Sequence, residues 1–238
     1  MMEKSSNDSI AQRLRMIEDS IHEQCIRCNR SPDEVSLMAV TKTVSAQRVN
    51  EAIQAGVRFL GENRVQELQS KFELYDREGV QIHFIGHLQT NKVKYLVDKV
   101  SMIQSVDSLH LAQQIDKECA KHGKIMDILL EVNIGREESK SGLFQEELEE
   151  LLPQLSQLSN LRVRGLMAIP PRCENQKELE KYFYQMQQLF IDMKDKNLHN
   201  ITMDFLSMGM SQDYLTAIQY GSTMVRIGRR LFGERNYK

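Results

Sequence analysis

Cysteine is scarce. Four of them in 238 residues, Cys25, Cys28, Cys119 and Cys173, are too few and too unevenly spaced for a disulfide framework, which fits a reducing compartment. No stretch is long and apolar enough to span a bilayer. The N-terminus, MMEKSSNDSIAQRLRMIEDS, lacks the uninterrupted apolar segment of a secretory signal, so the expected address is cytoplasmic. Neither sign of charge dominates either: 31 basic and 33 acidic residues are interleaved along the chain and leave a formal net charge of −2. That gives no electrostatic case for a nucleic-acid or membrane-surface partner, although small anions can still bind locally. Proline clusters at one point, Ile169-Pro170-Pro171, and there is no low-complexity linker, internal repeat, Walker sequence or Rossmann glycine fingerprint. GREESKSG (135–142) is only superficially glycine-rich.

Cys25 and Cys28 form a CxxC. Ile10, Leu14, Ile17, Ile21, Cys25 and Cys28 fall at steps of four, three, four, four and three, the stripe of one helix. No second CxxC or CxxH completes a tetrahedral zinc site, and no strand precedes the pair as a thioredoxin-like motif requires. The pair reads as packed helix cysteines.

After that helix, short apolar or β-branched runs alternate with amphipathic segments. The strand candidates are VSLMAV (35–40), RFL (58–60), QIHFI (81–85), SMIQ (101–104), MDILLEV (126–132), RVRGLMAI (162–169), MDFLSM (203–208) and STMVRIG (222–228). Helical faces lie between them: Val49, Ala52 and Ile53; Val65, Leu68 and Phe72; Leu88, Val93 and Leu96; Leu109, Ala112, Ile115 and Cys119. Two more follow: Leu148, Leu151, Leu155 and Leu158, with a kink expected at Pro153, then Leu179, Tyr182, Phe183, Met186, Phe190 and Met193. Eight strands each followed by a helical pattern, at this length, predict a (β/α)8 TIM barrel in a single domain over 1–238. The helix within residues 1–30 is extra to the alternation and is expected outside the barrel or as a plug at its bottom.

In such barrels the C-terminal strand ends carry the site. Lys42 follows the first strand, in LMAVTKTVS. It either begins a solvated loop or stands at the mouth, where desolvation disfavours the ammonium and the neutral amine can attack a carbonyl to form a Schiff base. The seventh strand is expected to end at Ser207 and pass through Met208, Gly209 and Met210 to Ser211 as N-cap of the next helix. The eighth ends at Gly228, with Arg229 and Arg230 opening a helical turn. Backbone NH groups and a hydroxyl there could cradle a phosphate, with Gly228 letting an anion approach, or these could be ordinary turn and cap residues. Arg226, amid apolar strand residues, needs an acceptor. Glu62 or Asn63 can cap the helix after strand two. His83 reads as a strand residue and His87 as a pocket candidate, with a metal disfavoured because a strand and a glycine turn do not hold two imidazoles at a defined helical spacing.

Taken in order, AVTKTV, GENRVQE, HFIGHLQTNK, VNIGREESKSG, GLMAI, LSMGMSQDY and GSTMVRIGRRLFG resemble the pyridoxal phosphate homeostasis protein family, also described as YggS-like or proline-synthase-associated, over nearly the whole chain. The resemblance implies a barrel like the N-terminal domain of alanine racemase, the type III fold of pyridoxal phosphate proteins. It implies pyridoxal 5'-phosphate joined to Lys42 as a Schiff base, phosphate contacts from Ser207, Gly228 and Arg229, Arg226 near the pyridine nitrogen and Asn63 near the ring. Arg230 stands where related barrels more usually carry small or apolar residues and takes no role from it.

The resemblance leaves two classes of function. An alanine-racemase-type enzyme needs a second acid/base opposite the lysine, a tyrosine from a separate β-domain of a partner subunit in the racemase relatives, and the ten residues after Gly228 leave no room for that domain. The expectation is therefore a carrier without robust catalysis and with no catalytic residue assigned. It would buffer pyridoxal phosphate, serve vitamin B6 and amino-acid homeostasis, deliver to transient apo-enzyme partners, and act as a monomer.

Overall fold

The structure, a computed structural model, describes residues 8–196 and 198–233. The first seven residues of the expected N-terminal segment lie outside them. Eight strands, β1 (Ser36–Val40), β2 (Phe59–Glu62), β3 (Gln81–Phe84), β4 (Met102–Val106), β5 (Met126–Val132), β6 (Leu161–Ala168), β7 (Ile201–Met210) and β8 (Met224–Ile227), pair in sequence order and close through β8 and β1. All pairings are parallel. Even RFL and SMIQ, with three and four residues, form strands.

The α-helices are α1 (Ile10–Arg27), α2 (Ala46–Ala55), α3 (Val65–Lys71), α4 (Leu109–Lys121), α5 (Gln145–Leu155), α6 (Gln176–Lys194), α7 (Tyr214–Gln219) and α8 (Arg229–Phe232). Among the described residues, none is long and apolar enough to cross a membrane. Helix α1 begins at a capping box, in which Ser9 Oγ accepts from the Gln12 N–H and Gln12 Oε1 accepts from the Ser9 N–H. It buries Ile10, Leu14, Ile17, Ile21 and Cys25, while Cys28 falls at the C-cap, half-buried. All four cysteines are free. Of the two expected places for this helix, the outer one is found. It lies against α2, α7 and α8, covering the flank that four-residue α8 is too short to cover, and Ser20 Oγ and Tyr214 Oη meet at 2.6 Å.

Two helical segments differ from expectation. Val93 and Leu96 belong to a 3-10 stretch, Thr90–Tyr95, and its C-cap rather than to an α-helix. With three residues per turn, residues three apart share a face, and both are fully buried. Phe72 lies past α3 in a second short 3-10 turn, Phe72–Leu74. Pro153 sits inside α5, which continues to Leu155.

Strand ends also shift. β2 runs on through Gly61 and Glu62, and Arg64 occupies the N-cap of α3, so neither Glu62 nor Asn63 caps it. β7 runs past Ser207 to Met210 and pairs with β8 up to Met210↔Arg226, with a register shift between Ser207 and Met210. Gly209, at φ +92°, lies within that shift and works as an in-strand bulge rather than a strand terminator. The consequence is a translation of the mouth: Ser207 drops below it and Ser211 reaches its rim. The N-cap of α7 is Asp213, not Ser211.

Apolar side chains fill the ring between strands and helices. The lumen is different. It holds small clusters, Met38, Val40, Ile85 and Met224, and Met102, Leu129 and Met167, interleaved with buried His83, Gln104, Ser207 and Arg226. Gln104 of β4 touches residues of β3, β7 and β8 at once, which only a lumen-facing side chain can do.

Candidate functional site

At the C-terminal end of the barrel, between β7, β8 and β1, lies a cavity of about 490 Å³ lined by Val40, Lys42, Arg172, Met210, Ser211, Gln212, Asp213, Arg226, Gly228 and Arg229. That volume suits a small-molecule ligand. Four cationic side chains against one carboxylate favour an anionic one.

The turn carrying Lys42 is pinned on both sides. Buried Thr41 donates from Oγ1 to Glu62 Oε1 at 2.7 Å, and Tyr75 Oη donates to the same oxygen at 2.6 Å. Burial holds the Glu62 carboxyl above its usual range, opposed by these two bonds. Thr43 has φ +61°, a left-handed conformation that a β-branched residue rarely adopts. It is held there because its N–H donates to Glu67 Oε1 at 2.6 Å; Lys71 pairs with the same carboxylate and donates to the Thr41 carbonyl at 3.3 Å. Backbone strain clamped this firmly marks sites where side-chain direction matters.

Across the cavity, Gly228 is the N-cap of α8 and its carbonyl accepts from the N–H groups of Leu231 and Phe232. The first N–H groups of a helix have no carbonyl one turn earlier to bond, so those at Gly228 and Arg229 can turn to an anion. Ser211 Oγ lies 3.4 Å from the Arg230 N–H and adds a hydroxyl to the same corner. Asp213 Oδ1 accepts from the Met210 N–H at 2.5 Å, and burial raises its carboxyl's pKa.

Arg226 supplies a buried cation. Nη1 donates to the Ser207 carbonyl at 2.6 Å and to Ser207 Oγ at 2.8 Å, and Nη2 donates to the Ala168 carbonyl at 2.8 Å. These are the acceptors its place in the strand requires. Burial lowers its pKa to about 10, against the field of Asp213 and Glu131, which leaves it charged at neutral pH.

Lys42, Arg226, Gly228 and Arg229 are thus brought together. Ser207 is not: it is fully buried, its hydroxyl donates to Gln104 Oε1 at 2.8 Å, and the bulge at Gly209 leaves Ser211 rather than Ser207 in the cavity lining. Asn63 follows β2 outside the lining. Its Oδ1 is buried with no partner among the described residues, and a Cβ on Gly86 would lie 2.1 Å from its carbonyl oxygen. His87 is no pocket residue; its exposed ring faces Asp107 at 3.5 Å and Ser141 at 3.1 Å.

Arg172, Asp213 and Glu131 were not anticipated. Arg172 follows Ile169-Pro170-Pro171, whose Pro171 closes on Gly135. For Glu131 a signal existed: alternation in MDILLEV places it on the face of Leu129, which points into the lumen. Burial, then Asp107, raise the Glu131 pKa to about 7, with Arg226 and His87 opposing. A carboxyl whose folded pKa lies above its unfolded value favours folding while protonated, so this contribution is complete below the unfolded pKa and disappears as pH rises towards 7. Glu131→Gln is therefore expected to raise stability by about 2–3 kcal/mol at pH 8 and by nothing measurable at pH 4, read from urea midpoints.

A sequence profile of the family alanine racemase, N-terminal domain, matches residues 19–236. The pyridoxal phosphate homeostasis protein of Aquifex aeolicus (strain VF5) is 42% identical over 226 residues, covering 95% of this chain and 98% of that one. Among solved structures, PipY of Synechococcus elongatus PCC7942 with PLP bound is 35% identical at a TM-score of 0.82, covering 94% of this chain and 100% of PipY. The alanine racemase of Streptomyces coelicolor A3(2), 17% identical at a TM-score of 0.69, shares the fold over 94% of this chain and 58% of the racemase chain.

Proposed function

The chain belongs to the pyridoxal phosphate homeostasis proteins, within the family of the alanine racemase N-terminal domain, and from there we propose that it binds pyridoxal 5'-phosphate at the barrel mouth and carries it for other proteins. One observation carries the reading: a primary amine, a buried guanidinium, and an anion corner of hydroxyl and helix N–H groups line the same cavity. That donor set fits a ligand with a carbonyl at one end and a phosphate at the other. When bound, pyridoxal phosphate supplies an aldehyde that condenses with a primary amine and a ring that delocalises charge.

Lys42 presents the amine from its clamped turn. Ser211 and the N–H groups of Gly228 and Arg229 hold the phosphate. Asn63 faces the ring in this proposal. Arg226 keeps its charge beside the ring nitrogen and opposes protonation there, which weakens the ring as an electron sink and restricts carbanion chemistry. Racemisation would also need a second acid/base facing Lys42. Among the lining residues the only carboxylate is Asp213, one oxygen of which is taken by the Met210 N–H. These features favour binding and delivery over catalysis, with recipient apo-enzymes as transient partners and a monomer in the cytoplasm as the working form.

Loaded protein is expected to reactivate an apo-enzyme dependent on pyridoxal phosphate, and to interconvert L- and D-alanine no faster than free cofactor. Failure to reactivate any of a panel of apo-enzymes, or racemisation well above that background, would overturn the carrier reading.

A further inference from the structure

A chain of hydrogen bonds runs from the cavity into the barrel core, and the anion corner makes no use of it. Its donor directions follow from the arginine end. A guanidinium only donates, so Ser207 Oγ must accept from Arg226 Nη1. Ser207 Oγ in turn donates its single hydrogen to Gln104 Oε1, 2.8 Å away. That turns the Gln104 amide nitrogen towards His83 Nδ1 at 2.9 Å and Met224 Sδ at 3.1 Å. A thioether can only accept, which agrees with this orientation. His83 Nδ1 must accept too, so the ring carries its proton on Nε2. That atom is buried with no partner among the described residues.

We propose that His83, Gln104 and Ser207 form a one-way relay that fixes the Arg226 guanidinium towards the cavity and thereby sets how readily the ring nitrogen of a bound pyridine is protonated. The second half rests on the cofactor reading above; the first does not. Every donor points away from the cation, so its field polarises each bond in the same sense. The Arg226 bonds go to neutral oxygens, so the charge is held in place without being cancelled. The charged groups facing it are Asp213 before α7 and Glu131 on β5, with Lys42, Arg172 and Arg229 around the cavity. Burial lowers the His83 pKa to about 3, which agrees with a ring that stays neutral and accepting.

The relay is tested first on wild-type protein without added cofactor, by nitrogen NMR of the histidine side chains. His83 is expected as the neutral Nε2–H tautomer from pH 8 down to pH 5; an Nδ1–H tautomer, or a protonated ring in that range, overturns the relay. The second measurement follows the absorbance of protein loaded with pyridoxal phosphate against pH. Ser207→Ala and Gln104→Met are expected to keep the label on Lys42 after borohydride reduction, yet to shift the apparent pKa of the chromophore by about one unit or more. Ser207→Thr, which keeps the hydroxyl, should restore the wild-type profile, and Glu131→Gln separates the effect of the facing carboxyl. Unchanged profiles in both relay variants overturn the tuning role. Absence of label on Lys42 in wild-type protein would instead overturn the cofactor reading, while the tautomer still decides the relay.

Discussion

Lys42→Ala is expected to leave the protein colourless in the violet after soaking with pyridoxal phosphate and exhaustive dialysis, where wild-type protein absorbs. The variant removes the amine and keeps Ser211, Gly228 and Arg229, so binding should weaken by roughly a hundredfold or more, about 3 kcal/mol, without vanishing. The clamp on either side of Lys42, a half-buried turn residue, uses Thr41, Thr43, Glu62 and Glu67 and is kept in the variant, so the turn is expected to hold. Equilibrium dialysis, absorbance and a urea melt separate the three effects. Retained violet absorbance in a folded Lys42→Ala protein would remove this residue from the site.

The second large effect is expected at the other end of the ligand. Ser211→Asp sets a carboxylate beside the Arg230 N–H, where it takes the helix N–H groups itself and repels an incoming phosphate. Pyridoxal phosphate should bind roughly a hundredfold more weakly, about 2.7 kcal/mol, while pyridoxal, with the aldehyde but no phosphate, should change less than about threefold. Calorimetric titration of both vitamers against both proteins gives the comparison. Equal losses for the two vitamers would mean a damaged cavity rather than an occupied anion corner, and no loss for either would place the phosphate elsewhere.

The barrel was legible because parallel strands buried on both faces read as short apolar runs whatever their length, and even RFL and SMIQ kept their place in the order. The ends of those runs were not legible. Gly209 looks like a turn in sequence, yet its positive φ serves a bulge inside β7, and that one misplacement exchanged Ser207 for Ser211 as the hydroxyl at the mouth. Glu62 shows the same limit, since β2 extends two residues past its apolar run and buries a carboxyl that sequence places in a cap. Lys42, Arg226, Gly228 and Arg229 line one cavity because each sits at or beside the end of a strand correctly placed. The relay behind Arg226 bonds residues up to 103 positions apart, and no local pattern encodes it.

Borohydride reduction of wild-type protein loaded with pyridoxal phosphate, followed by peptide mass mapping, tests the site most directly. The pyridoxyl group is predicted on Lys42 and at no other lysine in stoichiometric yield. A stoichiometric label on a different lysine, or no label at all, would contradict a cavity built around that amine.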